Sequence, residues 1–346
     1  VSAGASTMGA VSRNYDMKSL NIVMKKKYEN GEIAYPLFGD DGLSTYKSFV
    51  LRNAGNDWEQ GSKYRDAAIQ QVLRGKVDLE TQDFQPVVMY LNGEYWGLIN
   101  MRERFGEDYF AGYYDYADDI DLLKYCNDSS YNFRAQKGDT KRLGELMTYL
   151  ANNSMSDDAN YQYVKNHYID VDNMINYYIA QLFSQNTDWP TNNMRMWRPR
   201  TENGKFRFPW YDADFGYGLW GGDASTNPWE NFDKSGYKKK TSVAMLNYML
   251  ENEEFKAEFV QRFYAMMATV YQSSIFKSIV NNIENQLSAE RSALMDEWTC
   301  TVNGGDSWGY GAGGMKSWAD SRVGHMKDYV NSKFDSKGTT TLNISY

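Results

Sequence analysis

Residues 186–216 read NTDWPTNNMRMWRPRTENGKFRFPWYDADFG, and this stretch decides how the chain is read. A helical pattern over 172–185 ends near Gln185, and a polar loop follows that carries Asp188 and, five residues on, Asn193. Two extended runs then flank Asn203-Gly204, and the second ends in Asp212-Ala213-Asp214-Phe215-Gly216. Asn-Gly between extended runs favours a two-residue turn, because such turns need positive φ twice. That turn would set Asn193 opposite Asp214 and Arg195 opposite Asp212, with Trp197 and Trp210 on the same face. An amide and a carboxylate brought together beside a loop Asp suit a hard cation, so Asn193, Asp214 and Asp212 are candidate ligands. Asp212 reads equally well as the ion-pair partner of Arg195.

Upstream, residues 17–27 alternate as a strand, and Lys18 shares parity with Leu20, Ile22 and Met24. An inward lysine needs an anionic partner or a ligand, so Lys18 is expected to reach toward Asp214. Before it, Gly4-Ala5-Ser6-Thr7-Met8-Gly9 reads as a turn whose backbone N–H groups and Ser6 could cradle phosphates. Residues 46–53 read as a strand. Residues 63–74 read as a helix capped by Ser62, and Arg52 and Arg65 are further phosphate candidates. Residues 84–91 and 94–102 form a hairpin around Asn92-Gly93, with apolar residues on both faces, and Asn30-Gly31 marks another turn. Helical patterns cover about 241–270, 272–298 and 315–334, and 303–314 reads as a Gly-rich loop. The layout is α+β: a β-rich lobe over 1–105, then a larger α-rich lobe over 106–346.

Composition narrows the chemistry. The 346 residues carry 37 basic and 45 acidic side chains, a net charge of −8. That argues against nucleic-acid binding, which needs clustered Lys and Arg. No apolar run approaches the 18 or so residues of a membrane span. With only 2 His and 2 Cys, well separated, a zinc site or a Ser-His-Asp triad has little to build on. Metal chemistry would rest on carboxylates and amides. Aromatics make up 16%, which suits a sugar-handling surface or a core between lobes. A start at Val1 reads as a fragment or processed product.

Loop Asp, Asn five residues later, hairpin and Asp-Phe-Gly follow the order of the protein-kinase catalytic machinery. The Gly-rich turn, strand Lys, helix and hairpin come in kinase order too. No His-Arg precedes Asp188, and the helix over 63–74 has no Glu, leaving Asp66 as the acid for Lys18. The stretches KSLNIVMKK (18–26), YKSFVLRNAGNDW (46–58), YRDAAIQQVL (64–73), PVVMYLNGEYWGLINMRER (86–104), NYYIAQLFSQNTDWPTNN (176–193) and FRFPWYDADFGYG (206–218) resemble the spore coat protein H (CotH) kinase family. The resemblance implies a two-lobed, atypical protein-kinase-like fold and ATP-dependent phosphorylation of Ser or Thr on secreted or surface proteins. It implies roles for Lys18, Asp188 as catalytic base and Asp214 as ligand of Mg²⁺ or Mn²⁺. It also places Glu103 near the inter-lobe hinge that meets adenine, and the chain outside the cytoplasm. Two rival readings stand beside it. One is a non-catalytic surface-binding or adhesion module. The other is a carbohydrate-active enzyme using Asp188 and Asp214 as a carboxylate pair.

Overall fold

Asn92 and Gly93 both take positive φ, 54° and 90°, and close the expected hairpin. In this computed structural model, which describes residues 1–114, 119–293, 301–302 and 305–336, the hairpin joins β4 (Phe84–Leu91) to β5 (Glu94–Arg102). Three earlier strands complete an antiparallel sheet: β1 (Gly4–Met8), β2 (Ser19–Val23) and β3 (Ser48–Arg52), in the order β1-β2-β3-β5-β4. β4 is therefore an edge strand with Val88, Tyr90 and Leu91 exposed, not buried on both faces; β5, sandwiched between β3 and β4, is buried from Gly97 onward. The 24–47 connection folds back over the sheet, where Phe38 and Tyr46 pack on Met101. Asn30-Gly31 lies inside that connection and joins no adjacent strands.

Residues 4–8 are strand rather than turn, because Ser6 pairs with Asn21 and Thr7 with Leu20. The turn begins one residue later at Gly9, whose φ of 109° suits glycine. Two short helices follow β3: α1 (Asp57–Gln60) and α2 (Arg65–Gln71). α2 is shorter than read, and Ser62 spends its hydroxyl on Asp57 instead of capping it.

After α3 (Glu107–Tyr114) comes a second antiparallel sheet, β7-β6-β8, from β6 (Ile120–Tyr125), β7 (Phe133–Lys137) and β8 (Arg195–Pro199). The helices are α4 (Lys141–Asn152), α5 (Asp158–His167), α6 (Val171–Ser184), α7 (Pro228–Phe232), α8 (Thr241–Met249), α9 (Glu253–Ala268) and α10 (Ser273–Leu287). A last helix, α11 (Ser307–Phe334), follows the short strands β9 (Thr301–Val302) and β10 (Gly305–Asp306). α11 takes in 307–314, which the sequence reading left as loop; Asn303-Gly304 and Cys300 lie outside the described residues. One core cluster runs from Tyr15 to Val330 through α2, α6 and α8–α11. No helix among the described residues is long and apolar enough to cross a membrane.

The 193–214 hairpin differs most from expectation. Neither Asn203 nor Gly204 takes positive φ, and Trp197 bridges Arg207 rather than Trp210. β8 pairs instead with β6 along its length. The wider loop is gathered by the Arg198 guanidinium, which donates to the carbonyls of Pro199, Thr201 and Gly204 at 3.0–3.3 Å.

Candidate active site

A cleft of about 280 Å³ opens between the β1–β2 turn and the 186–220 segment. Met8–Ser12, Arg52, Gly55 and Asn56 line one side; Asp188, Asn192, Asn193, Asp212, Phe215 and Trp220 line the other. Arg52 ends β3 at the floor of the cleft. Its guanidinium pairs with Asp212, lies 3.3 Å from Asp214 Oδ2 and 3.8 Å from Asp66 Oδ2. Burial pulls the Arg52 pKa down, but the carboxylates of Asp212, Asp66 and Asp214 outweigh it and hold the group above its ordinary value.

Asp214 is 1% exposed. Its Oδ2 accepts from the Asn56 N–H at 2.8 Å, while its Oδ1 is buried with no hydrogen-bond partner. Burial, then the neighbouring charge of Asp212, pushes this carboxyl up to about 7 despite Arg52. Ala54 and Gly55 take φ of 77° and 65°, and this double left-handed step aims the Asn56 N–H at Asp214. A Cβ on Gly55 would overlap the Asp214 carboxylate.

Asp66, from α2, ties the floor together. Its Oδ1 accepts from the Ala213 N–H at 2.7 Å and from Gln70 at 2.9 Å, and its other oxygen pairs with the buried Arg102. Burial alone would raise Asp66, but Arg102 and Arg52 hold it below the usual carboxylate range. Across the cleft, Asp188 Oδ2 accepts from Asn193 at 2.6 Å and Asn192 at 2.9 Å. Burial and the charge of Asp212 raise its pKa.

Set against the sequence reading, Asp188, Asn193, Asp212 and Arg52 converge on the cleft, with Asp214 just beneath. Asn193 bonds Asp188 rather than facing Asp214 on a ladder, because the hairpin register is different. Asp212 pairs with Arg52; Arg195 instead lies over the Tyr211 ring at 4.4 Å. Lys18 does not reach Asp214: its ammonium donates to the carbonyls of Arg13 at 2.8 Å and Tyr15 at 2.5 Å, closing the base of the β1–β2 turn. Ser6 is exposed on β1 and does not line the cleft. Arg65 is buried on Asp57 at 2.8 Å and on the Tyr217 carbonyl at 2.7 Å, so it braces the Asp-Phe-Gly segment rather than facing a phosphate. Glu103 is buried and does not line the cleft; its N–H donates to the Asp83 carbonyl and its own carbonyl accepts from Gln82. Its side chain accepts from Tyr113 and the Asp83 N–H.

The sequence reading missed Arg102, Gly55, Asn56 and Trp220. The signal for the first was parity: Asn100 and Arg102 alternate with Met101 on an otherwise apolar strand. Trp197 and Trp210, expected on the site face, are fully buried, and Trp197 donates to Glu80.

The residues present fit a divalent cation. The unpartnered Asp214 Oδ1 and its raised pKa mark a buried carboxylate short of positive charge. Among the described residues no three His, Cys, Asp or Glu side chains form a ready-made metal cluster. Mg²⁺ is ordinarily held by one or two carboxylates, with phosphate oxygens and water completing its shell.

The mixed α/β architecture, with a strand-end Arg52 holding Asp212 and Asp214 near a loop Asp–Asn pair, is consistent with the protein-kinase-like class. A family described as CotH kinase protein matches residues 5–333, so the chain belongs to the CotH kinase family. No curated protein matches it.

Proposed function

We propose that the chain transfers the γ-phosphate of ATP, with Mg²⁺ or Mn²⁺, to Ser or Thr of a secreted or surface protein. The observation that carries this reading is the buried Asp214 with its unpartnered oxygen beside Arg52, which lines the same cleft as Asp188 and Asn193. Asp214 and Asp212 would hold the metal, with the Asn193 amide oxygen as a further donor. A bound dication supplies neutralisation of the phosphate charge. Arg52 stands where it can exchange its carboxylate contacts for phosphate oxygens, the part the sequence reading offered it beside Arg65. Asp188, raised in pKa and held by two amides, orients the acceptor hydroxyl and takes its proton. The Met8–Ser12 turn covers the phosphates.

The test is nucleotide calorimetry beside a phosphate-transfer assay. Asp214→Asn is expected to lose most metal-dependent ATP affinity. Asp188→Asn is expected to bind metal-ATP like the parent yet transfer phosphate about 10²–10⁴-fold more slowly. If both variants bind and transfer like the parent, the assignment is wrong.

A further inference from the structure

The second sheet carries a row of three cations that the site described above does not use. Lys124 of β6 stands opposite Arg134 of β7 on one side and Arg195 of β8 on the other. Directly opposed residues of an antiparallel pair project from the same face, so the three side chains share one face of the sheet. Each opposed pair of Cα atoms is about 4.5–5.5 Å apart, which makes the row roughly 10 Å wide.

Like charges set directly opposite one another destabilise a ladder. Among the described residues none of the three forms an ion pair with a carboxylate, and Lys124 and Arg134 donate no hydrogen bond. Arg134 is exposed and Lys124 half-buried. Burial and the charge of Arg195 lower the Lys124 pKa and Arg134 adds to them, while Asp212, already paired with Arg52, opposes. Arg195 is fixed in place: its Nη1 donates to the Phe105 carbonyl at 3.1 Å and its guanidinium lies over Tyr211, but its Nε is buried with no partner. The positive face continues past the end of β6. Lys240 donates to Asn127 at 3.0 Å, and Lys238 and Lys239 beside it are exposed. A chain of net charge −8 thus gathers a local excess of positive charge.

Position narrows the ligand. None of Lys124, Arg134 and Arg195 lines the catalytic cleft, where the Met8–Ser12 turn and Arg52 are assigned to the nucleotide phosphates. Arg195 instead follows Asn193 by two residues, and Asn193 bonds Asp188 at 2.6 Å. The row therefore borders the cleft on the side of the acceptor hydroxyl. Guanidinium groups pair with carboxylate or phosphoryl oxygens two at a time, and an ammonium adds a point charge. A row of this width spans one phosphoryl group or two neighbouring carboxylates.

We propose that the Arg134–Lys124–Arg195 row is an acceptor-docking strip that takes acidic groups, carboxylate or phosphoryl, carried by the protein substrate beside its Ser or Thr. The proposal rests on the phosphotransfer reading above and deepens it by naming the charge of the acceptor.

The experiment selects binders, without nucleotide, from an immobilised peptide library randomised around a fixed Ser, with phosphoserine among the residues allowed. The parent is expected to enrich Asp, Glu or phosphoserine beside the Ser, and to lose that enrichment as salt rises. The yield of phosphoserine against carboxylate peptides distinguishes the two oxyanions. Arg134→Gln, at an exposed position, should weaken the enrichment about tenfold, the equivalent of one charge-assisted hydrogen bond, with an unchanged melting point. Lys124→Glu combined with Arg134→Glu should redirect the same positions toward Lys and Arg, and that altered selectivity shows that the variant is folded. No acidic enrichment by the parent, or enrichment unchanged in the double variant, overturns the proposal. A double variant whose Mg²⁺-ATP affinity falls while its peptide selection does not makes the row a nucleotide contact and overturns it too. So does a parent that prefers an oligonucleotide of equal charge to the acidic peptides. Acidic selection without phosphate transfer sinks the phosphotransfer reading alone. Transfer without acidic selection sinks the docking strip alone.

Discussion

At the scale of single residues, Arg52 carries the largest consequence. It pairs with Asp212 and lies against Asp214 from one guanidinium, and removing one partner of a buried pair costs about 3–5 kcal/mol. Arg52→Met is expected to unfold earlier by that amount. Mg²⁺ should restore more stability to this variant than to the parent, because a dication can take over the abandoned carboxylates. Thermal unfolding with and without Mg²⁺ reads both. Glu103 gives a pH prediction. Burial raises its carboxyl above the ordinary 4.5, so ionising it in the folded state is disfavoured. Its native pKa therefore exceeds its unfolded one, and the parent loses stability as pH rises from 4.5 toward the raised value. The melting point of Glu103→Gln, less that of the parent, should climb over that window and then level. A difference that falls with rising pH would contradict the assignment of a raised pKa.

At the scale of elements, the β3–α1 connection is where the site is built. Gly55 leaves room for Asp214 that any side chain would fill, and its φ of 65° strains other residues. Gly55→Ala should cost about 1–3 kcal/mol. It should also abolish metal-dependent nucleotide binding, measured by calorimetry on the folded fraction. A variant that binds like the parent would show that Asp214 has freedom the packing denies it. The Asn92-Gly93 hairpin, β3 and α6 were legible because turn chemistry and periodicity are local. The 193–214 register was not, since it is set by β6, some 70 residues upstream, and by Arg198 gathering three carbonyls. Lys18 and Arg52 could not be ranked for a related reason. Parity puts a lysine on a face, but the Arg13 and Tyr15 carbonyls that capture it come from a turn whose position depended on β1 pairing. Asp188, Asn193 and Asp212 do line one cleft, but the contact that gathers them is Asn193 on Asp188, not the ladder pairing with Asp214 that the spacing implied.

At the scale of the whole molecule, the last helix belongs to the site's support. Arg322 of α11 is fully buried and donates to the carbonyls of Leu182, Phe183, Ala224 and Thr226. The first two lie in the last turn of α6, where the Asp188 loop begins; Leu182 also accepts from the Gln185 N–H at 3.3 Å. Burial outweighs the nearby tyrosines and Asp223 and pulls the Arg322 pKa down to about 9. Arg322→Met strands the Phe183, Ala224 and Thr226 carbonyls and should destabilise the protein by about 3 kcal/mol or more. A denaturant midpoint within error of the parent would refute that. The bond from the Ala213 N–H to Asp66 has a different consequence, one for observation. It joins α2, whose Asp66 also pairs with Arg102 of β5, to the backbone between two site carboxylates, so α2 cannot withdraw without baring that amide. The solvent-exchange rate of this single proton, followed by magnetic resonance, is therefore a gauge of how often the cleft comes apart, readable without substrate, nucleotide or label.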